Sequence, residues 1–276
     1  EPAFLALGEA HVAAGMNNQA WYYRVGPASE GMEYATQRVN QREYLGTVDE
    51  VALNDRLAAV RSEGHLFVHV IEHADDPTES QDFRLPEPEK EGRETITCVA
   101  TTNDFLAYGT AQGTLRYYYL PDRVAVNEHR HDGGAIERLF LNATGTRAVF
   151  LDERSVPTFF NPVNDQALEI PEFQGPPQQV LWDAADPNTF VIANGTDYQV
   201  YTYASTTING PMIEAVGTHP QAPGAHPIMM LHGVVAFQLH GGKMQNELLS
   251  THAALRETHV SGERGRERFV RALNMN

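Results

Sequence analysis

A unit of strand, turn and strand recurs six times along this chain, and its period restricts the fold more than any single residue does. The middle strands centre near Ala14, Ala59, Ala107, Val149, Ile192 and Ala236. They lie about 45, 48, 42, 43 and 44 residues apart, the repeat length of a β-propeller blade. One such unit leaves an apolar face bare, and packing the units radially around an axis covers it. Propellers mostly hold partners, so the period predicts binding before catalysis.

The unit is clearest from Ala135 to Ile170. Ile136 to Leu141 forms a first strand, Asn142-Ala143-Thr144-Gly145 a turn, and Arg147 to Leu151 a second strand. Asp152 to Ser155 turns again, Thr158-Phe159-Phe160 is the third strand, and Ala167 to Ile170 the outer one. Polar turns between short β-branched and aromatic runs are what hairpins require. The second strands are rich in Ala, Gly and Val, which suits crowding between blades. Aromatic third strands such as Tyr117-Tyr118-Tyr119 and Tyr201-Thr202-Tyr203 suit the wider gaps, and Trp21 and Trp182 are read as space-fillers too.

Three segments depart from the repeat. Glu72 to Glu94 holds nine acidic and three basic residues with three prolines, too polar to bury a core, and predicts a solvated loop. Gly31 to Arg42 is polar and predicts an excursion between strands. After Leu255 strand character stops, and Arg264 to Met275 patterns as an amphipathic helix with Phe269, Val270 and Leu273 on one side. The expected division is a WD40-type propeller over residues 1–255, then a linker and helix over 256–276 leading to a helical solenoid. Because Glu1 opens almost directly on a strand without a methionine, a piece of a longer protein is expected.

With 276 residues, 42% of them hydrophobic, the chain can bury a large core. Its formal net charge of −16 repels phosphate backbones and anionic lipid, so nucleic acid is not an expected partner. No apolar run approaches the roughly 18–20 residues of a membrane-spanning helix, and the start has no signal-peptide pattern. The single cysteine, Cys98, lies in a β-type run and predicts a buried structural thiol in a cytosolic-type protein. Asn142-Ala143-Thr144 and Asn194-Gly195-Thr196 match glycosylation triplets, but both fall where Asn and Gly have ordinary turn roles.

Twelve histidines raise a metal site. His65, His69 and His73 would share a strand face, but four residues of strand span about 13 Å, too far for one ion. His129-Arg130-His131-Asp132 is compact yet lacks partner ligands and is read as an exposed loop between blades. His226, His232 and His240 are read as surface or turn residues. Asp152-Glu153 could pose as acid and base, but neighbours on a turn point apart and are expected to be solvated. No nucleophile elbow, phosphate loop, zinc-helix or dinucleotide motif occurs. The expectation is no catalytic, cofactor-binding or metal-binding residue.

Several segments resemble a known family in one order along nearly the whole chain. They are Asn17 to Tyr23, Glu43 to Val48, Asp104 to Thr110, Phe150 to Ser155, Pro162 to Phe173 and Leu249 to His252. They are similar to the WD-repeat protein nineteen family, the large propeller-and-solenoid subunit of intraflagellar transport complex A. The resemblance implies the second of two N-terminal propellers, with seven blades in the full protein, followed by a tetratricopeptide-like solenoid. It also implies a non-enzymatic scaffold that binds the other core subunits of complex A and supports retrograde transport, ciliary entry of membrane-protein cargo and cilium assembly. Cilium, basal body and cytoplasm are the implied locations. The rival readings are a vesicle-coat-like propeller subunit, a propeller that reads a ubiquitin or phosphoinositide tag on cargo, and a metal-dependent propeller enzyme.

Overall fold

The computed structural model describes residues 2–26, 36–72, 82–90, 92–171 and 173–249. Within them the hairpin pattern becomes six antiparallel sheets. The first holds β1 (Phe4–Leu7), β2 (His11–Met16), β3 (Gln19–Val25) and β4 (Thr36–Glu43). The second holds β5 (Val48–Leu53), β6 (Leu57–Ser62), β7 (His65–Val70) and β8 (Phe83–Leu85). The third holds β9 (Ile96–Thr101), β10 (Phe105–Thr110), β11 (Thr114–Tyr119) and β12 (Val124–Arg130).

The fourth holds β13 (Ile136–Leu141), β14 (Ala148–Asp152), β15 (Pro157–Asn161) and β16 (Gln166–Glu169). The fifth holds β17 (Gln179–Trp182), β18 (Thr189–Ala193), β19 (Asp197–Ala204) and β20 (Met212–Pro220). The sixth, with three strands among the described residues, holds β21 (His226–Leu231), β22 (Val234–Gln238) and β23 (Met244–Leu248). The chain forms two compact units, Glu1–Gly145 with Phe150–Arg154, and Thr146–Val149 with Ser155–Asn276.

Turn chemistry explains where strands stop. Glu63-Gly64 and His232-Gly233 both have two consecutive positive φ values, 48° and 75°, then 50° and 67°. That pairing makes the two-residue turn whose twist matches its flanking strands. One backbone bond repeats just past the first strand of four sheets. The amides of Gly8, Asn54, Thr102 and Asp183 donate to the carbonyls of His11, Leu57, Phe105 and Thr189 at 2.8–3.0 Å.

Burial divides the strands as their composition predicts. Ala58, Ala59, Ala107, Ala148, Val149 and Ala236 on second strands are buried. Gly109 is the extreme case. A β-carbon there would stand 2.6 Å from Ile136 Cγ2 and 2.7 Å from Cys98 Sγ, so the β9–β10 pair packs on β13 only because that atom is missing. Cys98 is buried and unpaired, and burial pushes its thiol up to about 12.

The aromatics fill the wider spaces. In the second unit Phe159 stacks on Tyr203 at 4.6 Å between ring centroids, Trp182 lies 4.8 Å from Phe190, and Phe190 stacks on Tyr201 at 5.3 Å. Each buried ring contributes about 1.5–3 kcal/mol, plus a geometric term for the offset stacks. Tyr117 and Tyr118 are buried as well, whereas Tyr119 and Trp21 are only half-buried.

Four readings from the sequence need correction. Thr36 to Arg42 belongs to β4 and is no excursion, since backbone pairing with β3 needs no apolar side chains. Asn40 is even buried, donating to the Ile71 carbonyl at 2.8 Å. The acidic stretch contains the strand β8 with Leu85 buried, and a 3₁₀ turn at Pro88–Lys90. Its carboxylates Glu72, Glu87 and Glu94 meet Arg24, Lys90 and Arg116, so specific cations offset what composition alone reads as solvated charge.

His129 and Arg130 end β12 and are no loop, while His131 is largely covered, 5.0 Å edge-on from Phe150. Asp152 is buried rather than solvated, because its carboxylate accepts the Arg154 amide at 2.9 Å and faces His131 at 3.6 Å. The readings for residues 31–35, His73 and the segment 250–276, including the helix, lie outside the described residues.

Candidate functional site

Polar groups inside the sheets are mostly committed to holding the fold. Asn54 accepts from the amides of Arg56 and Leu57 at 2.9 and 2.6 Å, which forms its own turn, and donates to the Thr102 carbonyl of the next sheet at 2.9 Å. One residue on, Asn103 Nδ2 donates to Asp55 at 2.7 Å. Asp183 does the same work in the second unit. Its buried carboxylate accepts the amides of His232 and Gly233 at 2.9 and 2.6 Å, on the turn between β21 and β22. Each clasp spans 48 to 50 residues, one repeat.

Among the buried ionisable groups of the described residues, two clusters stand out. Tyr44 donates to His69 Nε2 at 2.7 Å and lies 2.6 Å from the Tyr22 hydroxyl, while His69 Nδ1 meets the Val70 carbonyl at 3.0 Å. The carbonyl can only accept, so Nδ1 carries a proton, and burial keeps the ring neutral by disfavouring its charged form. Burial lowers His69 to about 4 and raises Tyr44 to about 12. Arg116 is buried between Glu94 at 2.6 Å and Glu128 at 2.8 Å.

The histidines singled out for metal do not gather. His69 is held by the two tyrosines, His65 bonds the Glu63 carbonyl at 3.0 Å, and His226, His232 and His240 are exposed. Among the described residues no group of three His, Cys, Asp or Glu side chains could hold a metal ion. No helix among the described residues is long and apolar enough to cross a membrane. Asn142 is buried, and Asn194 accepts from the amides of Thr196 and Asp197 at 2.9 and 2.8 Å, so both triplet asparagines serve turns.

What remains open is surface relief. A groove of ≈ 450 Å³ lies between the second and third sheets, walled by Leu57, Val68, Val70, Phe83, Leu120 and Pro121. The Arg123 guanidinium sits 5.8 Å over the Phe83 ring at its edge. A cleft of ≈ 260 Å³ above Tyr44 and His69 is flanked by the ion pair of Arg42 and Asp82. A third cavity, ≈ 430 Å³, opens at the end of the fifth sheet that carries the β18–β19 turn. Gln199 and Thr218 stand directly opposite in the β19–β20 register, and Asp197 is two residues before Gln199, so the three side chains share a face. Phe173, Gln174, Asn194 and Tyr198 complete the wall.

Sequence reasoning singled out none of Asp197, Gln199 or Thr218 as a site residue. A signal was present: polar residues alternate with Tyr198 and Val200 along a strand otherwise rich in aromatics. Exposed apolar side chains also occur at hairpin tips, Val163 between β15 and β16 and Ile208 between β19 and β20.

A family model described as the WDR19 second beta-propeller matches residues 1–252. WD repeat-containing protein 19 of Homo sapiens is 37% identical over 95% of this chain, and that of Mus musculus 38% identical over 92%. WD repeat-containing protein dyf-2 of Caenorhabditis elegans is 24% identical over 91%. The chain spans 19% of the length of each of these relatives.

Among solved structures, the computationally designed Ika8 protein aligns with a TM-score of 0.60 at 12% identity, covering 89% of this chain and 70% of that one. The beta-propeller domain of Cps50 (Swd1) from Myceliophteria thermophila gives 0.58 at 13% identity, covering 88% and 81%. At such identities the likeness concerns fold alone, and it agrees with an all-β, six-bladed propeller of WD40 type.

Proposed function

Because the chain belongs to the WDR19 second beta-propeller family, we propose that it is a non-enzymatic docking scaffold of intraflagellar transport complex A. In this reading the propeller binds other core subunits of that complex, at cilium and basal body as well as in the cytoplasm. The assembly supports retrograde transport, ciliary entry of membrane-protein cargo and cilium assembly. A helical solenoid follows the propeller in the complete protein.

The single observation that carries the proposal is the family match over residues 1–252, with more than a third of positions identical to the mammalian relatives. The physical character of the molecule supports it. The Tyr44–His69 and Arg116 clusters are tied to neighbouring strands, and the relief described above consists of open grooves and apolar hairpin tips, the features through which a rigid scaffold meets proteins. Affinity at such surfaces comes from a few anchors and not from total area.

The test is co-purification. The tagged full-length protein carrying this propeller should recover the other complex A subunits from ciliated cells, and cross-links should fall on residues 2–249. Deleting the propeller should remove those cross-linked subunits. Unchanged recovery after deletion, with no cross-links to the propeller in the intact assembly, would overturn the proposal.

A further inference from the structure

We propose that the cavity at the β18–β19 end of the fifth sheet binds an extended protein segment bearing a lysine or arginine. The inference rests on the docking reading and gives it a site and a partner chemistry.

The first observation is an unused amide. Gln199 is 8% exposed, yet its carboxamide makes no hydrogen bond among the described residues, and it lines the cavity wall. Its oxygen and nitrogen are not sealed from solvent, so a partner entering the cavity exchanges with water there. The carboxamide offers one donor and one acceptor side by side, which is the complement of a peptide group.

The second observation is charge. Asp197, on the same face two residues away, is exposed and has no cation beside it among the described residues. Its carboxylate accepts from the Thr196 hydroxyl at 3.2 Å. Several other carboxylates, Glu72, Asp82, Glu94 and Glu128 among them, face arginines. Chain-wide the formal charge is −16, so a cationic segment is drawn toward this surface at long range.

The third observation is shape and rigidity. At ≈ 430 Å³ the cavity holds a long side chain with adjoining backbone. Its rim is fixed, since Asn194 donates to the Gln174 carbonyl at 2.9 Å and accepts from the Thr196 hydroxyl at 2.9 Å. Phe173 gives an apolar wall for the methylene stem of lysine or arginine, while Thr218 adds a hydroxyl opposite Gln199. Together these read one cation, one aliphatic stem and one peptide group.

Fluorescence anisotropy of the 276-residue chain with a labelled synthetic peptide of alternating lysine and alanine tests this, at about 0.15 M salt to screen diffuse attraction. Saturable binding is expected, weakened about tenfold by Asp197→Asn and by Gln199→Leu, a loss of about 1.4 kcal/mol. Asp122→Asn, which removes an exposed carboxylate on the β11–β12 turn, should leave binding within about twofold. If Gln199→Leu does not fold, Thr218→Val with Asp197→Asn carries the comparison.

No saturable binding, or equal loss from Asp122→Asn and Asp197→Asn, overturns the site. Absent peptide binding with intact recovery of complex A subunits defeats only this inference. Site-specific peptide binding without subunit recovery defeats only the scaffold reading.

Discussion

The Tyr44 hydroxyl lies 2.7 Å from Nε2 of His69, a buried residue of the second sheet whose charged form burial disfavours. The consequence is a dependence of stability on pH. Burial lowers His69 to about 4 in the fold, against 6.5 in the unfolded chain. Below pH 6.5 the unfolded chain takes up a proton that the fold refuses, so this contribution to stability is whole above 6.5 and is lost as pH falls toward 4. The loss reaches about 3 kcal/mol for this group. Urea midpoints measured from pH 7 to pH 4 should fall more steeply for the native chain than for His69→Phe. Parallel slopes would refute the assignment.

Asp183 is expected to be among the most costly polar residues to remove. Asp183→Ala strands the amides of His232 and Gly233 and should destabilise by about 2–4 kcal/mol. Asp183→Asn keeps one acceptor and should lose less. Thermal unfolding of both variants orders them, and an alanine variant as stable as the native chain would contradict the clasp.

Gly109→Ala should cost about 1–3 kcal/mol by overpacking against Ile136 and Cys98. In an Ile136→Ala background the same change should cost less, because the Cγ2 methyl that stands nearest is gone. A double-mutant cycle reads the coupling directly. Additive losses would place the strain elsewhere.

Removing Arg116 alone should be harsher than removing its ion pair. Arg116→Leu leaves Glu94 half-enclosed without a cation and should cost about 3–5 kcal/mol, whereas Arg116→Leu with Glu94→Leu should regain much of it. Chemical denaturation of the two variants decides. A double variant no better than the single one would mean that packing and not charge is at stake.

Where the strands lie was legible from the chain because hairpins are local. Polar turn residues at Glu63-Gly64 and at Asn142 to Gly145 separate short apolar runs, and the described strands fall on nearly every run so predicted. The misreadings share a cause. Thr36 to Arg42, Phe83 to Leu85 and Asp152 looked solvated by composition, yet their partners Tyr22, Val68 and His131 stand about 15 to 21 residues away. A strand that satisfies its backbone through pairing need not look apolar.

The cavity at the fifth sheet was illegible for a related reason. Asp197, Gln199 and Thr218 are individually ordinary, and only the β19–β20 register sets them side by side. By itself, then, the order of amino acids determined the six-fold repeat, the turns and the family, since each depends on neighbours within one hairpin or on direct resemblance. The tertiary structure alone decided which polar groups are buried, which are satisfied and which are left open to a partner. Those properties depend on distances between residues far apart in the chain, which no local pattern encodes.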